Sequence, residues 1–170
     1  VPHSRADSRG VRRSFSISSP PNAEGQVSIA VRVPEKSSTY KMALLALRPG
    51  QTVHATGVGG DFVLPKDAAV PLLLVAGGIG ITPFLSQLRH HRKRDAVLVY
   101  GVAGPEEISY ADELAGFNVV LVSAVRPDHL PTTWTWAEAP FLSAEIIASA
   151  VPDIRTRLAY VSGPPAMVNA

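Results

Sequence analysis

The pattern of apolar and polar residues divides the chain into two parts with different periods. Before about residue 68, apolar and polar residues alternate over positions 14–18 and 26–33, which is typical of half-buried strands. Residues 40–47 carry apolar positions at helical spacing, and residues 51–60 show a third strand pattern. The first part is therefore expected to be β-rich with one helix.

After residue 68 the apolar runs become continuous and alternate with helical patterns. Strands are predicted over 71–78, 95–102, 117–125 and 158–163, and helices over 81–94, 109–116 and 143–151. Trp134 and Trp136 are expected in a loop or at a sheet edge. Continuous apolar strands between helices predict a doubly wound parallel sheet covered on both faces. We expect two domains, 1–67 and 68–170.

Composition narrows the class of protein. Hydrophobic residues make up 46% and charged residues 18%, which indicates a packed globular chain. The absence of cysteine excludes thiolate metal sites and iron–sulfur ligation by this chain. A formal net charge of only +2 does not favour nucleic acid as a partner. The uncharged run 68–88 is broken by prolines and glycines, so we predict a buried strand and a glycine turn there rather than a membrane span. We expect a cytoplasmic location, or the cytoplasmic face of a membrane-bound parent protein.

The glycine turn at 77–83 carries the strongest chemical signal. Gly77, Gly78 and Gly80 allow backbone N–H groups to approach a ligand, and the following helix N-terminus favours an anion such as a pyrophosphate. Thr82 is expected to cap that helix and Pro83 to occupy its first turn. The segment matches neither the GxGxxG fingerprint nor a P-loop. The alternative is a plain strand-to-helix turn.

Two further segments combine groups that suit a bound cofactor. Arg13, Ser14, Phe15 and Ser16 supply a cation, a ring and hydroxyls at the opening of a strand, as a phosphorylated aromatic cofactor requires. The alternative is an ordinary half-buried strand preceded by a surface arginine. Near the C-terminus, a predicted strand ends at Ser162, Gly163 and Pro164, where parallel sheets bind ligands, although a surface turn has the same sequence pattern.

In this order and spacing the segments resemble the ferredoxin–NADP reductase-like flavoproteins, in which a flavin-binding β-barrel precedes a nicotinamide-binding α/β domain. Residues 13–16 resemble the family's Arg-x-Tyr/Phe-Ser/Thr motif, and residues 77–83 contain Gly-Gly-x-Gly-x-Thr/Ser-Pro in full. The barrel loop Gly-x-x-Gly-x-Phe is similar to Gly57, Gly60 and Phe62. The motif Cys-Gly-Pro-x-x-Met is represented by Ser162, Gly163, Pro164 and Met167.

The resemblance implies a partial antiparallel flavin-binding barrel followed by the parallel-sheet nicotinamide domain, with FAD and NAD(P)H as cofactors. It implies hydride transfer from NAD(P)H to FAD, with electrons passing to an acceptor protein or to an acceptor domain of the same parent polypeptide. Ser16, near the flavin N5, and Ser162, near the nicotinamide, take the catalytic positions. The implied cofactor-binding residues are Arg13, Ser14, Phe15, Ser16, Ser38, Thr39, Gly60, Phe62, Gly77, Gly78, Gly80, Thr82, Pro83, Gly163 and Pro164.

Two departures from the family pattern and one set of charges shape the expectations. Ser162 replaces the usual cysteine. Only about half of the strands of a complete barrel are predicted, so we expect a fragment of a larger polypeptide that binds flavin weakly or not at all. Glu106 and Glu107 follow the second parallel strand, which favours NADH over NADPH, although Arg126 could reverse that preference.

Other functions remain open at this point. The chain could be a non-catalytic nucleotide-binding regulatory or interaction module derived from the same fold, or a doubly wound domain that holds another phosphorylated ligand. The basic run 89–94 is interpreted as a solvated helix end, with a docking patch for an acidic partner or an anionic membrane surface as the alternative.

Overall fold

The computed structural model describes residues 10–21, 24–60 and 62–169. The chain forms two compact units. The smaller unit holds the described residues up to Phe15 together with Val31–Val63. The larger unit holds Ser16–Ala30 and the chain from Leu64 onward.

The smaller unit contains one helix, α1, which spans Thr39–Leu45. Ser38 is its N-cap, and the Ser38 side chain accepts a hydrogen bond from the Lys41 backbone N–H at 3.3 Å, which satisfies one of the free donors of the first turn. Tyr40 is the buried residue of the helix. The predicted helix is confirmed, with an end slightly earlier than expected.

The predicted strands of the first part do not form as regular strands. Within the described residues, 51–60 has no ladder partner, and runs 14–18 and 26–33 share a single antiparallel bridge between Ile17 and Ile29. Alternation alone cannot make a strand, because the ladder hydrogen bonds need a neighbour. A flavin-binding barrel is therefore not shown in this chain.

The larger unit is built on one parallel sheet of five strands, β1 (Leu72–Gly77), β2 (Ala96–Gly101), β3 (Asn118–Ser123), β4 (Trp134–Glu138) and β5 (Leu158–Ser162). Their order in the sheet is β4-β3-β2-β1-β5. The helices are α2 (Thr82–His90), α3 (Ala111–Leu114), α4 (Ala144–Ala150) and α5 (Pro165–Val168), with short 3₁₀ turns at Gly78–Ile81, Pro105–Glu107 and Ile154–Thr156. The predicted doubly wound parallel sheet is confirmed.

The core lies on both faces of this sheet. Every residue of β1 is buried, because its side chains alternate between two apolar clusters. Leu72 and Leu74 face the cluster that includes Phe84 of α2, while Leu73 and Val75 face the cluster against which α4 packs. Continuous burial on two faces explains why the strand reads as an uninterrupted apolar run.

The segment Ser16–Ala30 belongs to the larger unit and lies against α2. The Ser18 backbone N–H donates to the Ser28 carbonyl at 2.8 Å, and the Ser86 hydroxyl of α2 donates to the Ser19 carbonyl at 2.7 Å. This short hairpin is therefore held to the parallel sheet domain through its backbone.

Helix α2 differs from the prediction at both ends. Its N-cap is Ile81, and Thr82 is its first residue, so the expected Thr82 cap is wrong. The Thr82 hydroxyl instead donates to the Ile79 carbonyl at 3.1 Å, because the helix continues directly from the preceding 3₁₀ turn. The helix ends at His90 and not at residue 94, since the basic residues after Leu88 offer no apolar side chain to bury.

At the amino ends of the strands, an arginine connects three of them. Arg157, just before β5, donates to Asp95 before β2 and to Asp153, both at 2.8 Å, and to the Leu72 carbonyl at 3.3 Å. Its side chain is only 9% exposed. Among the described residues, no helix is long and apolar enough to cross a membrane.

Candidate functional site

The strand order creates a crevice where β1 meets β5. From β1 the chain adds β2, β3 and β4 on one side, and then crosses to place β5 on the other side. Ligands of open parallel sheets bind at the carboxyl ends of the strands at such a switch point. In the register of β1 and β5, Ala76 pairs with Ser162, so the predicted turns 77–83 and 162–164 meet at this edge.

Close packing between the two turns accounts for the glycines at 77 and 80. A Cβ on Gly80 would lie 2.2 Å from the Ser162 carbonyl oxygen and 2.8 Å from the Gly163 Cα. A Cβ on Gly77 would lie 2.5 Å from the Met167 Sδ. A side chain at position 80 would push the backbones of the two turns apart, and one at position 77 would displace the Met167 side chain, so the two motifs pack as one structural unit.

Gly78 has a different role from its neighbours. Its φ of +51° lies in the left-handed region that favours glycine, and a Cβ there would have no atom within 4 Å. The residue therefore faces open space at the carboxyl edge of the sheet. Backbone N–H groups at this turn, ahead of α2, are suited to a phosphate oxygen.

The other residues predicted for this crevice differ in burial and in their place in the fold. Pro83 lies in the first turn of α2, and Thr82 is buried with its hydroxyl turned back to the Ile79 carbonyl. Ser162 is half-buried at the end of β5, and Pro164 is exposed as the N-cap of α5. The structure thus brings all predicted residues of the glycine turn and of 162–164 together.

A cavity of about 450 Å³ opens beside β4, and sequence reasoning assigned it no role. It lies between β4 and the segment that connects β3 to β4. The Arg126 guanidinium carbon is 5.8 Å from the ring centroid of Trp136, a distance at which a cation is attracted to an aromatic face. The lining residues are Arg126, Pro127, Asp128, Leu130, Pro131, Thr132, Trp134, Thr135 and Trp136. Two tryptophans in one short edge segment were the signal available in the sequence.

A buried tyrosine of β2, Tyr100, is hydrogen-bonded to the loop that follows the strand. The Tyr100 hydroxyl donates to the Glu107 carbonyl at 3.4 Å and accepts from the Ser109 N–H at 3.3 Å. Burial of the ring raises the pKa of Tyr100 above its ordinary value, so this hydroxyl remains protonated. Tyr100 therefore ties β2 to the loop that carries Glu106 and Glu107.

In the smaller unit, Arg13 and Phe15 both lie beside Tyr40. The Arg13 guanidinium carbon is 5.0 Å from the Tyr40 ring centroid, and the Phe15 and Tyr40 centroids are 6.2 Å apart. Arg13 also donates to the Gly10 and Arg12 carbonyls at 2.9 and 2.6 Å. Sequence reasoning missed Tyr40, whose apolar position on a predicted helix was the available signal.

The other predicted flavin residues are placed as follows. Ser14 and Thr39 are exposed, and the Ser38 side chain is used as the α1 cap. Gly57 and Gly60 have φ values of +68° and +140° with no atom near a Cβ, and Phe62 is 36% exposed. Ser16 is exposed and belongs to the larger unit. Among the described residues there is no group of three or more His, Cys, Asp or Glu side chains that could hold a metal ion.

A doubly wound parallel sheet with a glycine turn at its switch point defines a dinucleotide-binding domain. Residues 74–170, more than half of the chain, match the model of the oxidoreductase NAD-binding domain. The chain belongs to this family, within the ferredoxin–NADP reductase-like oxidoreductases.

Two curated relatives and one solved structure illustrate the similarity. The reductase subunit of an aromatic O-demethylase from Amycolatopsis sp. is 30% identical, covering 95% of this chain and 51% of the relative. Ferredoxin–NADP reductase B of Sorangium cellulosum is 31% identical, covering 92% of this chain and 64% of the relative. The crystal structure of the Amycolatopsis cytochrome P450 reductase GcoB matches with a TM-score of 0.70 and 28% identity, covering 96% of this chain and 52% of that one. The chain thus spans about half to two thirds of the length of these relatives.

Proposed function

We propose that the chain is the reductase module of an electron-transfer protein, which transfers hydride from NAD(P)H to FAD and passes electrons to an acceptor. The observation that supports this most is the packing of Gly80 against Ser162 and Gly163 at the switch point between β1 and β5. This packing forms one crevice from the two turns that resemble the family's nicotinamide motifs.

The crevice fits the middle and nicotinamide end of a dinucleotide. Gly77, Gly78 and Gly80 present backbone to the pyrophosphate, and Gly78 has open space where a Cβ would stand. Thr82 closes the turn through its hydrogen bond to the Ile79 carbonyl, and Pro83 lies in the first turn of α2. Gly163 and Pro164 lie next to these glycines, beside the proposed position of the nicotinamide ring.

In the smaller unit, the groups around Tyr40 fit a flavin's anionic and aromatic parts. Arg13 supplies a cation for the phosphate and Phe15 a ring beside the cofactor. The remaining proposed contacts to the flavin are Ser14, Ser38, Thr39, Gly60 and Phe62. The proposed flavin-binding domain covers residues 1–67, and the proposed nicotinamide domain covers residues 68–170.

The chain's own residues contribute positioning and polarity. When bound, the cofactors supply the hydride and electron chemistry. Ser16 is proposed to donate a hydrogen bond near the flavin N5, and Ser162 to contact the nicotinamide. Since Ser162 stands where the family has cysteine, we expect hydride transfer to be retained with an altered rate. An alternative is a non-catalytic nucleotide-binding module, which the same Ser162 permits.

The choice between NADH and NADPH rests on two opposing sets of charges. Glu106 and Glu107 follow β2 and disfavour a 2′-phosphate, whereas Arg126 lines the cavity beside β4 together with Asp128. We propose NADH as the preferred coenzyme, with its adenosine end in this cavity. The Arg126→Ala variant should lower the affinity for NADPH more than that for NADH. An equal loss for both would place Arg126 away from the 2′ position.

The acceptor is proposed to be a partner protein or a further domain. One relative is by its name the reductase subunit of an aromatic O-demethylase, and the matched crystal structure is by its title a cytochrome P450 reductase, which supports this proposal. The cytoplasmic location stays a prediction.

The test of this function is the visible spectrum of a polypeptide that carries these residues and a complete flavin barrel. We expect a flavin band at roughly 450 nm that bleaches when NADH is added. A polypeptide that binds NADH but no flavin would favour the non-catalytic module instead. The chain of residues 1–170 alone should bind NADH and little or no flavin, and a stoichiometric flavin content would contradict that expectation.

A further inference from the structure

A single buried hydroxyl connects the two elements that form the cavity beside β4. Ser123, the last residue of β3, is 0% exposed. Its hydroxyl donates to the Val125 carbonyl at 2.8 Å and accepts from the Trp136 indole Nε1–H at 3.1 Å. The first bond holds the turn that leads into Arg126, and the second holds the ring of Trp136.

The arrangement leaves the hydroxyl no alternative orientation that keeps both bonds. A serine hydroxyl has one proton, which is committed to the Val125 carbonyl, so its lone pairs face the indole N–H. The indole N–H of Trp136 can only donate, and its acceptor is the Ser123 hydroxyl. This hydrogen bond therefore restrains the orientation of the Trp136 ring relative to the end of β3.

This fixation determines what the cavity presents. Arg126 is three residues beyond Ser123, and its guanidinium lies 5.8 Å from the Trp136 centroid. Loss of the Ser123 hydroxyl would release both the turn before Arg126 and the edge of the indole. The cation and the aromatic face would then no longer be held at one spacing, although each side chain would still be present.

We propose that Ser123 is a positioning residue, whose hydroxyl holds Trp136 and the Arg126 turn in the geometry that binds the adenosine half of the coenzyme. This inference rests on the proposed function, because it takes the coenzyme's adenosine end to occupy this cavity. Ser123 touches no ligand itself, since it is 0% exposed and does not line the cavity.

The first test measures the hydrogen bond directly. The chain contains two tryptophans, so the indole N–H region of a ¹H–¹⁵N spectrum should hold two signals, and Trp136→Phe assigns one of them. In Ser123→Ala the Trp136 signal should move upfield and its proton should exchange faster with solvent. The Trp134 signal should stay, because its N–H donates to the Leu114 carbonyl at 3.2 Å.

The second test measures ligand binding with 5′-AMP as the probe. Ser123→Ala should bind 5′-AMP about fivefold more weakly than the wild type, the factor that the loss of one net hydrogen bond represents. Ser123→Thr, which keeps the hydroxyl, should restore both the affinity and the Trp136 signal. Ser149→Ala is the matched control, because it removes a serine-to-carbonyl bond in α4 and should change neither. If Ser123→Ala fails to fold, Ser123→Cys is the second variant, because its somewhat larger thiol offers only a weak donor and acceptor.

The outcomes separate this inference from the proposed function. Unchanged 5′-AMP affinity in Ser123→Ala, with wild-type binding intact, overturns the positioning role and leaves the proposed function standing. An unshifted Trp136 signal overturns it as well. A wild-type chain that binds NADH but not 5′-AMP overturns the placement of adenosine in this cavity, and the positioning role with it.

Discussion

Replacing Gly80 by alanine tests whether the two turns of the crevice form one packed unit. The added Cβ would stand 2.2 Å from the Ser162 carbonyl oxygen, 2.6 Å from the Ser162 carbonyl carbon and 2.8 Å from the Gly163 Cα. All three are backbone atoms, so no side chain can rotate away. Because carbon contacts are stable at about 3.5 Å, one turn must move by about 1 Å.

The expected magnitude follows from overpacking. Forcing a methyl group into a closely packed site costs about 1–3 kcal/mol, and a clash with the end of β5 belongs in the upper half of that range. We therefore expect Gly80→Ala to lower the free energy of unfolding by about 2–3 kcal/mol. A displacement of about 1 Å at the coenzyme turn should also weaken NADH binding by about tenfold or more.

Two other glycines serve as comparisons. Gly78→Ala meets no atom within 4 Å, so its cost is only the left-handed backbone conformation, about 1–2 kcal/mol. Gly116 also has open space around a Cβ, and its φ is not in the left-handed region, so Gly116→Ala should be neutral or slightly stabilising. Urea unfolding followed by circular dichroism measures stability, and calorimetry measures NADH binding. If Gly80→Ala behaves like Gly116→Ala in both assays, the two turns do not form one packed unit.

Further predictions concern the rest of the larger unit. Arg157→Gln should lower the free energy of unfolding by about 1 kcal/mol, because it removes charge-assisted bonds to Asp95 and Asp153, and urea unfolding at neutral pH measures this. Arg157 holds the pKa of Asp153 below its ordinary value, so this contribution is present above about pH 4 and is lost as the pH falls through the lowered pKa. The stability difference between wild type and Arg157→Gln should therefore shrink in acid, and a gap that is constant with pH would contradict the assignment. Phe84→Ala should cost about 3–5 kcal/mol because the ring is 0% exposed, whereas Phe141→Ala, at 79% exposure, should change stability by less than about 0.5 kcal/mol; similar losses would argue against the described core.

The parallel sheet could be predicted because its signal is local. Strand β1 is buried on both faces, so every residue of Leu72–Gly77 is apolar or glycine and the run is continuous in the sequence. The glycine turn was predictable for a similar reason, since its residues are consecutive. The partner turn at 162–164 could be placed at the same sheet edge from the βαβ order alone.

The remaining features depend on contacts that sequence spacing does not encode. The alternation over 51–60 predicts a strand, but a strand needs a neighbour, and the described residues offer it none. Threonine is a common N-cap residue, yet the 3₁₀ turn before Thr82 makes Ile81 the N-cap of α2. Trp136 received no role because its partner Ser123 and its neighbour Arg126 belong to another strand end, and nothing local to Trp136 indicates their proximity.

The glycines of the crevice illustrate how one motif combines two physical requirements. Gly77 and Gly80 are small because distant residues of the C-terminal turn, Met167 and Ser162, occupy the space that a side chain would need. Gly78 is small because of its own backbone conformation, and it alone of the three faces open space. Packing therefore fixes the outer glycines, and this rigid support holds the middle one at the sheet edge where a phosphate can approach. A substitution at 80 should disturb stability and coenzyme binding together, and one at 77 should cost less because the flexible Met167 side chain can move aside. Larger side chains at 78 should affect coenzyme binding more than stability.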